Sequence, residues 1–362
     1  MNGKVRKRYK YQPDFNELLL VLNRKKPTRP VLFELFMNPE AYQQLAGYKQ
    51  EDDSGEALYK LMVDAFHAGG YDYATVHAND FGFPTNDRHK EKTVSLNDGF
   101  VITDEKSFDE YKWPDPENFD YSRLDRLGAH MPDGMKLMVM GPCGVLENAI
   151  ALVGYENLCY MLVENPELLE RIFSEVGQRL LKYYQIAAEH DSVGLLMLND
   201  DWGFKTQTFL SPNDMRHYVF PWHTKIVEAA HKHNKPAVLH SCGYANDIME
   251  DIINVIKLDG KHSYEDTILP VEDSYKLWGD KIAILGGIDV NFLIKSSLED
   301  IRKRSERMLE LAEDHGSYAL GSGNSIPYYV PYENYRAMID TALKTRGRSR
   351  CLVSLRKGKS MA

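Results

Sequence analysis

The chain is organised around a short stretch beyond its midpoint, Pro236–Gly243, which reads PAVLHSCG. An apolar run that ends in polar residues is typical of a buried strand reaching the edge of its sheet. Side chains at positions i and i+2 of a strand leave the same face, so His240 and Cys242 are expected to project side by side. Imidazole and thiolate together suit zinc. The alternative is a buried histidine beside a cysteine that serves as a small core residue.

Similar apolar runs occur on both sides of this stretch, and each is followed by a helical pattern, an alternation typical of parallel α/β proteins. About eight runs, the number that closes a barrel, are predicted as strands: Val31–Leu35, Tyr71–His77, Leu137–Gly141, Val193–Asn199, Ala237–His240, Val255–Leu258, Ile282–Gly286 and Tyr318–Gly321. The sequence therefore predicts an α/β fold, a single-domain (β/α)8 TIM barrel over residues 31–345. Residues 1–30 are predicted as an N-terminal segment and residues 346–362 as a basic, solvated C-terminal tail.

Helix starts are marked by capping residues. Asn165-Pro166 and Ser211-Pro212 each combine an N-cap residue with a proline at the first helical position. Pro221 is expected to kink the second of these helices. The charged segment Glu299–His315 is predicted to be a surface helix of the outer ring.

An insert of residues 78–132 follows the second predicted strand and is long for a barrel loop. It is rich in Asp, Asn, Gly, Pro and aromatic residues. Loops at this position rise from the catalytic face of a barrel. The insert is therefore predicted to be a lid or substrate cap, and a purely structural excursion is the alternative.

Composition narrows the class of protein. The chain has 362 residues, of which 43% are hydrophobic and 27% charged, so a sizeable core can form. A net charge of −9 argues against nucleic acid as the main partner. No apolar stretch is long enough to span a bilayer, so no membrane partner is expected. Four cysteines without a pairing pattern indicate a reducing compartment, and the predicted location is cytoplasmic.

The carboxyl ends of barrel strands converge on one mouth, where barrel enzymes place their sites. These ends are polar here and offer Glu34, His77, Asn79, Asp80, Asn199, Asp200, Asp201, Trp202, His240, Cys242, His262, Glu265, Asp266, Asp289, Ser322 and Asn324. Some of the acids are alternatively caps of the following helices. Because adjacent strand residues face opposite ways, one of Asp200 and Asp201 is expected in the mouth and the other at a loop or a helix N-terminus.

A series of short motifs resembles the uroporphyrinogen decarboxylase superfamily along most of the chain: Gly141-Pro142, Asn165-Pro166-Glu167-Leu168, Ser211-Pro212, Leu239-His240-Ser241-Cys242-Gly243, Gly286-Gly287-Ile288-Asp289 and Val330-Pro331-Tyr332-Glu333-Asn334. Within the superfamily, the H-x-C-G at 240–243 is similar to that of the cobamide-dependent methyltransferases. This branch includes methylcobamide:coenzyme M methyltransferases and the methyltransferases of aryl methyl ether demethylation. The resemblance implies a (β/α)8 barrel, a zinc ion, and methyl transfer to or from a corrinoid carried by a partner protein.

Two departures from the family pattern matter. Coenzyme M methyltransferases complete the zinc site with a second cysteine near the last strand, where this chain has Ser322. A carboxylate such as Glu265, Asp200 or Glu34 then completes the site, or metal binding is weak or absent. The arginine-rich motif with which uroporphyrinogen decarboxylases bind substrate carboxylates is replaced by a segment around Glu34, without arginine. Because the segment lacks arginines to bind substrate carboxylates, porphyrinogen decarboxylation is ranked below methyl transfer.

The sequence therefore predicts a zinc-dependent methyltransferase that moves a methyl group between a methyl ether or thiol and a corrinoid protein. Ser322 favours an O-methyl donor over coenzyme M. One alternative is a decarboxylase of a porphyrinogen or related acid, in which Asp80 takes the place of the family's catalytic aspartate. Another is a barrel that binds a corrinoid or tetrapyrrole without catalysis. The methyl donor, the acceptor and the formation of a homodimer are left open.

Roles are predicted for twelve residues at the barrel mouth. The predicted metal ligands are His240, Cys242, Glu265 and Ser322. The predicted catalytic residues are Asp80, Asp200 and Asp201, and the predicted substrate-binding residues are Glu34, His77, Asn79, Trp202 and Asn324.

Overall fold

The computed structural model describes residues 11–50, 52, 54–86 and 95–358, except for the side chains of residues 347–358. Seven parallel strands pair in the order of the chain to form one curled sheet. They are β1 (Tyr73–His77), β2 (Lys136–Met140), β3 (Val193–Asn199), β4 (Ala237–His240), β5 (Gly260–His262), β6 (Ala283–Leu285) and β7 (Tyr318–Ala319). The predicted α/β class is confirmed, and the curled parallel sheet is consistent with a TIM-like barrel.

Helices surround the sheet and connect its strands. They are α1 (Phe15–Leu22), α2 (Pro39–Ala46), α3 (Gly55–Gly69), α4 (Glu105–Glu110), α5 (Ser122–His130), α6 (Val145–Val153), α7 (Tyr155–Glu164), α8 (Pro166–Glu189), α9 (Pro212–Asp214), α10 (Phe220–Lys232), α11 (Val271–Trp278), α12 (Val290–Lys295), α13 (Leu298–Leu311) and α14 (Tyr332–Gly358). Two 3-10 helices span Pro116–Asn118 and Asn246–Ile248, and π-helical segments span Met215–Val219 and Asp251–Ile256. Buried aliphatic side chains of the strands and of the inner helix faces form the core.

The predicted strand Val255–Leu258 is wrong. The first half of that run, Val255 and Ile256, lies in a π-helical segment, Asp251–Ile256, and the strand follows it at Gly260–His262. A short apolar run does not by itself distinguish a strand from a turn of buried helix. Ile252 and Ile256 are both buried there, as they would also be in a strand.

The predicted first strand, Val31–Leu35, is replaced by an irregular segment in the gap between β7 and β1. On the β7 side, bridges join Leu32 to Leu320 and Met37 to Ile326. Toward β1 the described contacts come from side chains, because the Tyr73 hydroxyl lies 2.7 Å from both the backbone nitrogen and the carbonyl oxygen of Glu34. The segment thus takes the position of an eighth strand without a full backbone ladder.

The capping signals are confirmed at both predicted helix starts. The side chain of Asn165 accepts a hydrogen bond from the backbone of Leu168, and Ser211 accepts one from Asp214. The irregularity expected at Pro221 takes the form of the π-helical segment Met215–Val219. Because proline lacks an N–H group, it cannot continue the regular helical ladder.

The described part of the insert packs on the outer helix layer. Phe81 stacks on Tyr183 of α8 at 5.7 Å between ring centroids, and the guanidinium of Arg179 lies 5.1 Å from the ring of Trp113. These contacts attach the described part of the insert to α8, and the role of the insert as a lid or substrate cap stays a prediction. Residues 87–94 of the insert lie outside the described residues.

The start of the predicted basic tail is helical, since α14 continues to Gly358. Arg346 is buried instead of solvated, and it donates to the carbonyl oxygens of Pro30 and Gly70 at 2.8 and 2.7 Å. The last four residues lie outside the described part of the chain. The proposed domain boundaries stay predictions.

Within the described part of the chain, no helix has both the length and the apolar composition needed to cross a membrane.

Candidate metal centre

Three neighbouring strands bring the polar residues of the mouth together. Asn199 at the end of β3 is in register with His240 at the end of β4, and His240 is in register with His262 at the end of β5. Two residues further along the chain, the side chain of Cys242 projects from the same side of the sheet as that of His240. The site therefore follows directly from the register of β3, β4 and β5.

Asp201, His240 and Cys242 form a compact triad in which one ligand atom from each residue lies within 4.8 Å of the others. The Sγ atom of Cys242 lies 3.6 Å from Nε2 of His240, and Oδ1 of Asp201 lies 4.0 Å from the same nitrogen. Tetrahedral zinc with bonds of about 2.0–2.3 Å places such donor atoms about 3.4–3.6 Å apart. The triad is thus close to zinc geometry, and its sulfur, nitrogen and oxygen donors are those that zinc accepts.

The triad is polar but largely shielded from water, and this sets its charge state. Burial and the neighbouring carboxylate of Asp201 raise the pKa of the Cys242 thiol. Burial, together with His262 and Lys261, holds the pKa of His240 well below its ordinary value. A thiolate in this half-buried site beside the carboxylate of Asp201 is unfavourable without a cation to compensate the two negative charges. A divalent metal would supply that compensation.

Hydrogen bonds fix the position of Cys242. The amide Nδ2 of Asn324 donates to Sγ at 3.0 Å, and the hydroxyl of Ser263 donates to it at 3.7 Å. The backbone N–H of Cys242 donates to Oδ1 of Asp201 at 2.7 Å. Asn324, predicted to bind substrate, therefore contacts the proposed ligand.

Ser322 and Glu34 contact each other and lie outside the triad. The hydroxyl of Ser322 donates to Oε1 of Glu34 at 2.7 Å, so this predicted metal ligand is hydrogen-bonded to a carboxyl group. Glu34 is fully buried. Burial raises the pKa of Glu34 from its ordinary value to about 8, although the hydrogen bonds from Ser322 and Leu35 oppose the shift.

Substituting Glu34 should change how stability depends on pH. Because the folded state holds a proton on Glu34 up to about pH 8, the folded chain binds more protons than the unfolded chain between about pH 5 and 8. The free energy of unfolding therefore falls with rising pH in this window, by about 1.4 kcal/mol per unit from this group. Glu34→Gln is expected to remove that part of the slope in urea denaturation at pH 5, 6, 7 and 8.

Glu40→Gln, the same change on the exposed face of α2, is the control and should leave the slope unchanged. A Glu34→Gln variant with the wild-type slope would show that Glu34 is ionised in the folded protein.

Asp200 and Asp201 face opposite ways, as strand alternation predicts. The carboxylate of Asp200 is fully buried and accepts hydrogen bonds from the backbone nitrogens of Leu146 and Glu147 at 3.0 and 2.9 Å. It also contacts Nε2 of His223 at 2.8 Å. Asp200 therefore caps the N-terminus of α6 with its charge satisfied there, and only Asp201 joins the triad.

The remaining predicted residues lie around the triad or away from it. Asp80 is 83% exposed and pairs with Arg123 at 2.8 Å, so it lies at the surface.

His77 is half-buried, and burial lowers its pKa. Asn79 is buried and accepts from the backbone of Phe81 at 3.0 Å. Trp202 is fully buried, with its ring packed on Phe220 at 5.3 Å, so it faces the core.

Glu265 lies beside the triad without completing it. It lines a small cavity with Lys261 and Ser263, and its charge contributes to the raised pKa of Cys242. Glu147 is a second nearby carboxyl group: burial first, then the charges of Asp200 and Asp201, raise its pKa to about 8. The sequence gives Glu147 no role, because it follows a strand end by several residues and resembles an ordinary first-turn helix acid.

His262 is the main residue of the site to which sequence reasoning assigns no role. Its Nδ1 lies 2.8 Å from Nδ1 of His240, and its ring is fully buried. The usable signal was its place at the end of a strand. That signal places His262 at the mouth, but the contact with His240 depends on a strand register that the sequence pattern does not give.

Comparisons with known proteins agree on the fold. The family model described as uroporphyrinogen decarboxylase (URO-D) matches residues 75–345. Uroporphyrinogen decarboxylase of Myxococcus xanthus is 24% identical over 165 residues, 45% of this chain and 44% of that protein. Uroporphyrinogen decarboxylase of Geobacter sulfurreducens is 24% identical over 188 residues, 51% of this chain and 52% of that protein. The chain thus spans about half the length of the curated relatives it matches.

A solved methyltransferase from Methanosarcina mazei has a similar structure, with a TM-score of 0.68 and 16% identity. The match covers 92% of this chain and 99% of that one. At this identity the likeness concerns the fold.

Proposed function

Because the chain belongs to the uroporphyrinogen decarboxylase family, whose model covers residues 75–345, we propose that it is a zinc-dependent methyltransferase. It moves a methyl group between a small substrate, a methyl ether or a thiol, and a corrinoid carried by a partner protein. The observation that carries this proposal is the triad of Asp201, His240 and Cys242, whose ligand atoms lie within 4.8 Å of one another. The fold likeness to a methyltransferase is consistent with it.

Each residue of the site has a task in this function. Nε2 of His240, Sγ of Cys242 and a carboxylate oxygen of Asp201 would hold the ion and leave one position open, as catalytic zinc sites do. Zinc held there supplies Lewis acidity, which polarises an ether oxygen or lowers the pKa of a thiol. The amide of Asn324 and the hydroxyl of Ser263 donate to the sulfur and so reduce its charge.

A decarboxylase is the second candidate, and the names of the two curated relatives favour it. Its predicted catalytic group, Asp80, is exposed and paired with Arg123. By the resemblance to the family, the segment around Glu34 corresponds to the arginine-rich motif that binds an acidic substrate, and residues 31–37 contain no arginine. The exposure of Asp80 and this departure rank the decarboxylase second.

Metal analysis and two activity assays test the proposal. The purified protein is expected to contain about one zinc per chain by elemental analysis. Methylcobalamin is then supplied with a panel of thiols, and cob(I)alamin with a panel of aryl methyl ethers, while the cobalamin absorbance is followed. We expect conversion in one of the two assays above a control without protein, and no turnover of uroporphyrinogen.

Turnover of uroporphyrinogen without cobalamin conversion would establish the decarboxylase instead. A protein free of zinc that binds cobalamin tightly without converting it would indicate a non-catalytic corrinoid-binding barrel. Either result would overturn the proposal.

A further inference from the structure

Two histidines on neighbouring strands are hydrogen-bonded to each other through their rings inside the barrel mouth. His240 on β4 and His262 on β5 are register partners, and their Nδ1 atoms lie 2.8 Å apart. Both side chains are buried, with ring centroids 5.0 Å apart. A nitrogen-to-nitrogen hydrogen bond requires one donor and one acceptor, so the two rings must differ in where they carry their hydrogen.

The surroundings of His262 decide which ring donates. Its Nε2 lies 3.1 Å from the carbonyl oxygen of Ser322, which can only accept, so Nε2 carries the hydrogen. The Nδ1 atom of a neutral His262 is then an acceptor. It follows that Nδ1 of His240 donates, and that Nε2 of His240 is left with a free lone pair.

The free lone pair of His240 Nε2 faces the other two residues of the triad, as metal binding by this nitrogen requires. Nε2 of His240 is the nitrogen that lies 3.6 Å from Sγ of Cys242 and 4.0 Å from Oδ1 of Asp201. A histidine with its hydrogen on Nε2 would present a donor to those atoms and could not bind a cation there.

The acceptor at the far end of this chain of hydrogen bonds is itself fixed. The carbonyl oxygen of Ser322 also accepts from the backbone N–H of Gly287 at 2.8 Å. The hydroxyl of Ser322 is bound to Glu34 at 2.7 Å. Ser322, which stands where the related methyltransferases have a zinc-binding cysteine, thus anchors His262 through its backbone.

We propose that His262 is a positioning residue, which through its Nδ1 holds His240 in the tautomer and orientation that leave Nε2 free to bind a metal ion. This inference rests on the zinc site of the proposed function. The competing explanation is that His262 only fills space in the core, where its ring lies 5.3 Å from that of Phe33.

The tautomer can be measured without any metal. In metal-free protein labelled with 15N-histidine, the nitrogen shifts distinguish a ring protonated at Nδ1 from one protonated at Nε2. We expect His240 protonated at Nδ1 and His262 protonated at Nε2. In His262→Phe, which keeps an aromatic ring, the signal of His240 should shift toward the Nε2-protonated form. An unchanged His240 signal in that variant would overturn the inference, whether or not the protein binds zinc.

Zinc affinity, measured by competition with a chromophoric chelator, gives the second readout. His262→Asn keeps an acceptor near the Nδ1 position, whereas His262→Gln keeps only a donor within reach of Ser322. Loss of a partner that orients a ligand typically costs about 10–100-fold in metal affinity. We expect that loss in the Gln and Phe variants, and affinity within a few-fold of wild type in the Asn variant.

Controls separate this role from folding and from the proposed function. Melting temperature is measured for all variants, since a space-filling role would sort them by volume and leave zinc affinity equal at matched stability. His231→Gln, a histidine change on α10 away from the mouth, should leave zinc affinity unchanged. A wild-type protein that binds no zinc but shows the expected tautomers would refute the proposed function and support the positioning of His240.

Discussion

Replacing Cys242 by alanine is expected to lower zinc affinity by about a hundred- to a thousandfold and to abolish methyl transfer. Zinc binding to structural sites contributes roughly 10–16 kcal/mol over four ligands, so one thiolate accounts for about 2.5–4 kcal/mol. Cys242 supplies the only sulfur of the triad. Elemental analysis of the purified variant and competition with a chelator measure the loss.

Cys159→Ala is the matched control, because this cysteine is partly buried on α7, outside the triad. It should keep wild-type zinc content and activity. A Cys242→Ala variant that retained stoichiometric zinc would remove Cys242 from the metal site. Loss of activity with zinc retained would assign Cys242 to the substrate instead.

Asp200→Asn is expected to lower the free energy of unfolding by about 1–3 kcal/mol, the usual cost of leaving a buried donor without its partner. The carboxylate of Asp200 accepts two backbone hydrogen bonds at the start of α6, one on each oxygen, and contacts His223. An amide can accept at only one of its two atoms, so one of the two helix-start N–H groups is left without a partner. Urea denaturation measures the change.

The neighbouring substitution Asp201→Asn serves as the counterpart. Asp201 is partly exposed, and its carboxylate faces the triad. We expect near wild-type stability with zinc affinity reduced by at least about 10-fold, the lower end of what even indirect partners of a metal contribute. If Asp200→Asn left stability intact, or if Asp201→Asn left zinc affinity intact, the division of labour between the two aspartates would be refuted.

The sequence is informative about this pair because alternation along a strand is a geometric rule. It predicts that one aspartate faces the mouth and the other a helix start, and the structure places Asp201 and Asp200 in those two positions. The same rule places His240 beside Cys242. What it cannot give is which aspartate faces which way, since that depends on where β3 ends.

Contacts between residues far apart in the chain are harder to predict from the sequence. The resemblance to the family places Ser322 at the position of a zinc ligand, but the hydroxyl of Ser322 donates to Glu34. Glu34 lies 288 positions away along the chain, so no local pattern announces this pairing. The sequence places His262 at the mouth but does not indicate its partnership with His240, because that contact depends on the register of a strand that the apolar pattern misplaces.

The seam between the segment at residues 31–37 and β1 has a consequence for the whole mouth. At this seam the barrel wall is held by side-chain hydrogen bonds, such as those of the Tyr73 hydroxyl to the backbone of Glu34. Glu34 at the seam is connected through Ser322 and His262 to His240. An ion held by Nε2 of His240 would therefore be joined, through three hydrogen-bonded contacts, to the side chains that close the barrel wall.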